Sequence, residues 1–312
     1  APRTGLPNDR TVRVTGARAG IGAAIAAAGV AAGGRVALVA RSTDAIERQA
    51  ARLGDAAVAA PTDVTDAEAL ATTIRDATEA MGGLDGVVCS AGIVRLGGIA
   101  DSEPDDWQAM FDVNVLGVLN TVKGALDHLR VAETADVIVI SSMSGRRRSS
   151  VALGFYAASK HAVHVLADSL REELAPDGVR VTLLSPGFVD TPIFDGLADD
   201  VTREQYQRAV ATQGLDPAAV AAQVVNALAQ PAGVNRVEIA MLSTEQPGSA
   251  DHPGRPPGST RHDNRNLERH RDRSIRRHRD RRRQPLLSAR VGRVRPARVD
   301  RAPVVLPVEG RR

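Results

Sequence analysis

Seven short runs rich in Val, Ala, Leu and Ile, near 11–15, 35–40, 56–60, 86–89, 136–141, 179–184 and 236–241, are separated by helix-length segments near 20–32, 44–53, 66–81, 105–130, 155–175 and 217–229. A strand with one wet face alternates apolar and polar residues, whereas these runs are nearly continuous, so both of their faces must be covered. Strands that alternate with helices and are buried on both sides predict an α/β fold: a doubly wound parallel sheet, the Rossmann architecture. The 43% apolar content of the 312 residues supplies such a core, but only seven residues are aromatic, so aliphatic side chains must build it. A segment from about 188 to 215, with a short helix near 202–210, falls between the sixth strand and its crossover helix, where such folds place a lid.

The first strand runs into Thr15-Gly16-Ala17-Arg18-Ala19-Gly20-Ile21-Gly22 and then an alanine-rich helix. Glycines at 16, 20 and 22 let the backbone turn tightly beside a pyrophosphate, and the helix start offers its unpaired N–H groups to that anion. At the end of the second strand, an acidic side chain would bond the ribose of NAD and repel a 2′-phosphate. Here that position is Ala40, followed by Arg41, and the expected cofactor is NADP(H). Arg18, in the glycine loop, adds a second cation.

Phe155-Tyr156-Ala157-Ala158-Ser159-Lys160 places one of two tyrosines and one of two lysines four residues apart on a helix. That spacing puts an ammonium beside a phenol, which favours phenolate and would lower the tyrosine pKa. Alone, the same pair is more often a solvated surface contact. Its company changes the reading, because further motifs follow in order: Asp63-Val64 after an apolar run, Cys89-Ser90-Ala91-Gly92 after a strand, Asn114 within Val113–Gly117, Ser141-Ser142 at a strand end, and Pro186-Gly187-Phe188-Val189-Asp190-Thr191.

From about residue 9 to about 246, the sequence resembles the short-chain dehydrogenase/reductase family. It is most similar there to clavaldehyde-type and related NADPH-dependent aldehyde and ketone reductases, in the 155–191 region and in the ending Val237–Gln246. The resemblance implies a catalytic set of Asn114, Ser142, Tyr156 and Lys160. Tyr156 would exchange the proton at the substrate oxygen, Lys160 would lower its pKa and bond the nicotinamide ribose, Ser142 would orient the carbonyl, and Asn114 would hold a helix and a water behind Lys160. It also implies cofactor contacts from Gly16, Arg18, Gly20, Ile21, Gly22, Arg41, Asp63, Val64, Ala91 and Gly92, and again from Tyr156, Lys160, Pro186, Gly187, Val189 and Thr191. Asp63 would meet the adenine amino group, and Thr191 the carboxamide. The implied activity is NADP(H)-dependent interconversion of a carbonyl and an alcohol in a homo-dimer or homo-tetramer. A non-catalytic cofactor sensor and a nucleic-acid binder acting through a basic tail stand beside it as alternatives.

Two departures from the family pattern stand out. Cys89-Ser90 occupies a place where the family has two asparagines, so the bracing of the central strand by the second one is only partly replaced. Gly29 and Gly33-Gly34 fall in or after the first helix, where a helix-interior glycine costs up to about 1 kcal/mol.

Charge divides the chain at about Gln246. The last 66 residues carry 19 arginines against seven acidic residues, while residues 1–246 carry 21 basic against 30 acidic. One domain over residues 1–246 is expected, followed by a mostly disordered arginine-rich tail over 247–312. Nucleic-acid binding has only this tail behind it, since stacking aromatics and a nucleic-acid fold motif are missing. No stretch of 18 apolar residues occurs, so no membrane association is expected. Cys89, the single cysteine, permits no internal disulfide, in keeping with a cytoplasmic protein. His161 and His164 lack a third ligand at recognisable spacing, so no metal site is expected. Arg146, Arg147 and Arg148 follow Ser142 closely enough for one guanidinium to face the cleft and grip a carboxylate.

Overall fold

The computed structural model describes residues 10–100, 102–147, 150–197 and 199–246. The arginine-rich segment 247–312 and Arg148 therefore lie outside the described residues.

The seven expected strands all form: β1 Thr11–Thr15, β2 Arg35–Ala40, β3 Ala57–Pro61, β4 Gly86–Cys89, β5 Ala135–Ile140, β6 Val179–Pro186 and β7 Glu238–Met241. They pair in the order β3-β2-β1-β4-β5-β6-β7, and every pairing is parallel. The helices are α1 Gly20–Ala31, α2 Thr43–Leu53, α3 Ala67–Met81, α4 Pro104–Phe111, α5 Gly117–Val131, α6 Gly154–Leu174, α7 Asp200–Gln213 and α8 Pro217–Leu228. The chain runs outward from β1 to β3, then crosses back to β4 on the other side of β1. A crevice opens at that reversal, beyond the carboxyl ends of β1 and β4.

The pleat divides the core in two. Val36 and Leu38 point to one face, where Ile25 of α1 and Val220 and Val224 of α8 cover them. Ala37 and Val39 point to the other, beneath Leu70 and Ile74 of α3, Val122 of α5 and Val163 of α6. Neither of these two clusters contains an aromatic residue. At the opposite end of the sheet from the crevice, buried Asp136 accepts hydrogen bonds from Arg10 at 2.6 Å and from Arg180 at 2.7 and 2.9 Å. A buried carboxylate needs such partners, and this triad ties β5 to β6 and to the residue before β1.

Two elements differ from their sequence expectations. The helix read over 105–130 is interrupted by a π-helical turn at Asp112–Leu116. Gly117, just after it, lies so close to α3's approach that a Cβ would come within 2.8 Å of Val64 Cγ2. The expected weakness of Gly29 also has a structural counterpart, since a Cβ there would stand 3.1 Å from Val36 Cγ2. That glycine lets α1 lie close on β2. The segment between β6 and α8 carries a longer helix than its sequence suggests, α7, capped by Asp199, whose carboxylate accepts from the Thr202 N–H at 2.8 Å.

Candidate active site

The crevice holds two adjoining compartments, of about 290 Å³ and about 170 Å³, bordered in common by Ile21, Gly92 and Thr191. Gly16, Arg18, Gly20 and Gly22 line the larger one, together with Arg41, Asp63, Val64 and Ala91. Gly16 and Gly20 have φ of 68° and 57°, a region that side chains disfavour, and a Cβ on Gly16 would lie 2.8 Å from the Ala91 backbone. The loop thus packs against the end of β4 and leaves the start of α1 facing the compartment. Ala19 precedes that helix, no side chain caps it, and its first turn holds no acidic residue. Unpaired N–H groups with two arginines nearby suit a phosphate-bearing dinucleotide.

Arg41 and Asp63 meet at 3.6 Å across this compartment, with Arg41 73% exposed. Asp63 also accepts from the Thr65 N–H and hydroxyl at 3.0 and 2.9 Å, so its own turn fixes it.

The smaller compartment is lined by Ser142, Tyr156, Lys160, Pro186, Gly187 and Val189. Ser142 stands just beyond β5, and its hydroxyl accepts the Ser144 N–H at 3.1 Å, which fixes its orientation at the head of a short 3-10 turn. Tyr156 lies in the first turn of α6, with Lys160 one turn further on. The pairing differs from the sequence expectation. Lys160 donates to the Ile140 carbonyl at 3.0 Å, and its Nζ lies 6.0 Å from the centre of the Tyr156 ring. Burial pushes the Tyr156 phenol up to about 12, against a smaller lowering by its hydrogen bond with Ser142. The phenol pKa therefore rises rather than falls here, because desolvation outweighs any help from the ammonium. Burial likewise lowers Lys160 to about 8.

Asn114 lies beneath this compartment, fully buried in the π turn. Its Oδ1 accepts the Ile93 N–H at 2.9 Å, and its Nδ2 donates to the Ile93 carbonyl at 3.0 Å and to Ser159 Oγ at 3.1 Å. It thereby ties the loop after β4 to α6, one residue from Lys160. Its π turn is the type of helix irregularity often found at functional sites.

Several residues escaped the sequence reading. Thr15 Oγ1 accepts the N–H groups of Ser90 and Ala91 at 3.0 and 3.1 Å, so the end of β4 is braced from β1. Gln246 Oε1 accepts the Phe188 N–H at 3.0 Å and lines the smaller compartment. A threonine directly before the first glycine was the available signal for Thr15; nothing local marks Gln246. Of the arginine run, Arg147 lines the smaller compartment, while Arg146 turns to Glu238 at 3.6 Å. His161 bonds its own helix through the Ala157 carbonyl at 2.8 Å, and His164 approaches Ser185 Oγ at 3.4 Å, with its pKa lowered chiefly by burial. Among the described residues, no group of three His, Cys, Asp or Glu could hold a metal ion. Cys89 is buried, and burial pushes its thiol up to about 12, which leaves it inert as a nucleophile. Among the described residues no helix is long and apolar enough to cross a membrane.

Comparison with known proteins agrees with this geometry. The family model described as short chain dehydrogenase matches residues 10–202. An uncharacterized oxidoreductase of Staphylococcus aureus (strain MW2) is 38% identical over 232 residues, covering 74% of this chain and 96% of that protein. Among solved structures, an alcohol dehydrogenase from the archaeon Thermococcus sibiricus, complexed with 5-hydroxy-NADP, is 29% identical with a TM-score of 0.69, over 78% of this chain and 100% of the other. A short-chain dehydrogenase/reductase from Burkholderia phymatum in complex with NAD is 28% identical with a TM-score of 0.67, over 75% of this chain and 89% of the other.

Proposed function

We propose, for a chain that belongs to the short-chain dehydrogenase family of oxidoreductases, that it interconverts an aldehyde or ketone and the corresponding alcohol with NADP(H), using Tyr156 as general acid/base. One observation carries the reading: Ser142, Tyr156 and Lys160 converge in the smaller compartment, directly beside the glycine loop and the uncapped start of α1. When bound, the nicotinamide supplies or accepts the hydride, and the residues of the chain handle charge and proton.

Tyr156 and Ser142 line the same compartment, so two hydroxyls stand ready to bond one substrate oxygen. In the reductive direction the phenol gives its proton to that oxygen as negative charge builds on it, while Ser142 stabilises the same charge. The phenol is a protonated donor throughout the neutral range, with its pKa pushed up to about 12. Lys160, buried beneath, holds a positive charge near the oxygen and near where the cofactor's ribose would sit. Lys160 is buried and Ser142 and Tyr156 are half-buried, which limits the access of bulk water to the proton.

Gly16, Gly20 and Gly22, with Arg18 and Arg41, would hold the pyrophosphate and the 2′-phosphate. Asp63, Val64, Ala91 and Gly92 would border the adenosine end, and Pro186, Gly187, Val189 and Thr191 the nicotinamide end. We read the working form as a homo-dimer or homo-tetramer in the cytoplasm.

The test is a panel of aldehydes and ketones followed by loss of NADPH absorbance. Tyr156→Phe is expected to lower turnover by roughly 10²- to 10⁴-fold while leaving folding and cofactor binding nearly intact. Full activity in that variant would overturn the assignment.

A further inference from the structure

We propose that the substrate carries a planar unsaturated ring within a bond or two of its carbonyl, and that Phe188 and Phe194 select it. The proposal rests on the carbonyl–alcohol reading above and adds the substrate class.

The observation is where this chain places its rings. Only seven of its 312 residues are aromatic, and both main core clusters are packed without one. Three of the seven, Phe188, Phe194 and Tyr206, instead form a single cluster beside the reactive hydroxyls, and a fourth, Tyr156, packs against it. Phe194 stacks on Tyr206 with centroids 4.7 Å apart, and Phe188 meets both edge-on, at 6.4 and 6.5 Å. Phe188 and Phe194 line the same compartment as Ser142 and Tyr156, with Val94, Leu153, Ile193 and Leu242 among its aliphatic lining. Both main core clusters are filled with aliphatic residues, and the packed rings sit here and in one other place, the Trp107–Phe155 stack with centroids 4.6 Å apart between α4 and α6, which does not border this compartment. What aromatic faces and edges add over aliphatic groups is directional attraction for another ring, in offset-stacked or edge-to-face geometry.

The wall is also held in position before any ligand arrives. The Phe188 N–H is bonded to Gln246 Oε1 at 3.0 Å, and its carbonyl accepts the Leu215 N–H at 2.8 Å. Tyr206 backs Phe194 from α7, so the Phe194 ring cannot fold away from the compartment without losing its stack. Preorganised contacts of this kind favour the matching ligand because little ordering remains to be done on binding.

Phenylacetaldehyde and cyclohexylacetaldehyde test the idea, because a methylene separates each ring from its carbonyl and removes conjugation, and the change of their ratio between wild type and variants cancels the remaining difference in intrinsic reactivity. With the full chain and NADPH, kcat/KM is expected to favour the phenyl compound by roughly two- to tenfold, the scale of one or two aromatic contacts. Phe188→Leu and Phe194→Leu should bring that ratio toward one, whereas Phe188→Tyr, which keeps a ring, should preserve it. A thermal melt of each variant identifies any that fails to fold, and the Phe188→Tyr arm then carries the comparison. A wild-type ratio of one or below overturns the ring selection, as does a ratio unmoved by both leucine variants. Failure of the parent reading has a different signature, namely no reduction of any aldehyde or ketone.

Discussion

Ala40 and Arg41 are two neighbouring residues on which the proposed choice of NADP(H) turns. Ala40 ends β2 without a carboxylate, and Arg41 reaches over the larger compartment, exposed and in contact with Asp63 at 3.6 Å. An arginine paired so loosely in water gives up little on transferring to a phosphate. NADPH is therefore expected to outcompete NADH, and Ala40→Asp with Arg41→Ala to reverse the order; a wild type that prefers NADH in a kcat/KM comparison would show the strand end to be misread. Lys160 gives a second prediction. Its pKa in the folded cofactor-free chain is about 8, against 10.5 ordinarily. Between those values the unfolded chain keeps a proton that the folded chain has released, so stability rises with pH across that window. Tyr156 works oppositely and higher: folded at about 12 against 10, it makes stability fall above about pH 10. Urea denaturation should show Lys160→Met gaining on the order of 1–3 kcal/mol over wild type at pH 7, with the gap closing by pH 10. A gap that does not change with pH would mean that Lys160 carries no such strain. That Tyr156 and Lys160 share one face of α6 was legible in the sequence, because residues four apart on a helix always do. The bond from Lys160 to the Ile140 carbonyl was not, since it depends on where β5 ends beside α6.

At the scale of the element, the strands were the readable part. Burial on both faces leaves a continuous apolar run with little ambiguity, and all seven runs became strands within two residues of their expected limits. The π turn at Asp112–Leu116 was hidden, because its cause is tertiary: Asn114 reaches the Ile93 backbone, 21 residues away, and Ser159, 45 away. The same region carries a prediction about assembly. Leu116, in that turn, is 47% exposed, and Val165, on the adjoining α6 that carries Tyr156 and Lys160, is 67% exposed. Large apolar side chains left in water at adjoining elements favour association with another copy of the same surface. Sedimentation at micromolar concentration is expected to give a dimer or tetramer, and Val165→Glu to shift it toward monomer. A wild type that sediments only as a monomer would count against the reading.

On the scale of the whole molecule, the charge division matters more than the net charge of +3. Residues 1–246 carry an excess of acids, 30 against 21 basic residues, so an anion approaching the site meets an unfavourable mean field. Local cations must overcome that field, and Arg147 is the member of the arginine run placed to do so for a substrate, since it lines the compartment while Arg146 is paired with Glu238. An aldehyde bearing a carboxylate at its far end is therefore expected to be reduced more efficiently than a neutral analogue of equal size, by roughly two- to tenfold at low salt. Raising ionic strength from about 0.05 M to about 0.5 M should shrink that advantage, because the Debye length falls from roughly 14 Å to roughly 4 Å while Arg147 remains exposed to solvent. Arg147→Ala should remove most of it, whereas Arg146→Ala should leave it largely in place. The tail's 19 arginines add a competing source of attraction, so the comparison needs both the full chain and a chain stopped at Gln246, which keeps every residue lining the compartment. An advantage that persists after Arg147→Ala in the full chain and vanishes in the shortened one would assign the attraction to the tail. Equal efficiency for charged and neutral aldehydes in both would leave Arg147 a solvated residue at the edge of an apolar site.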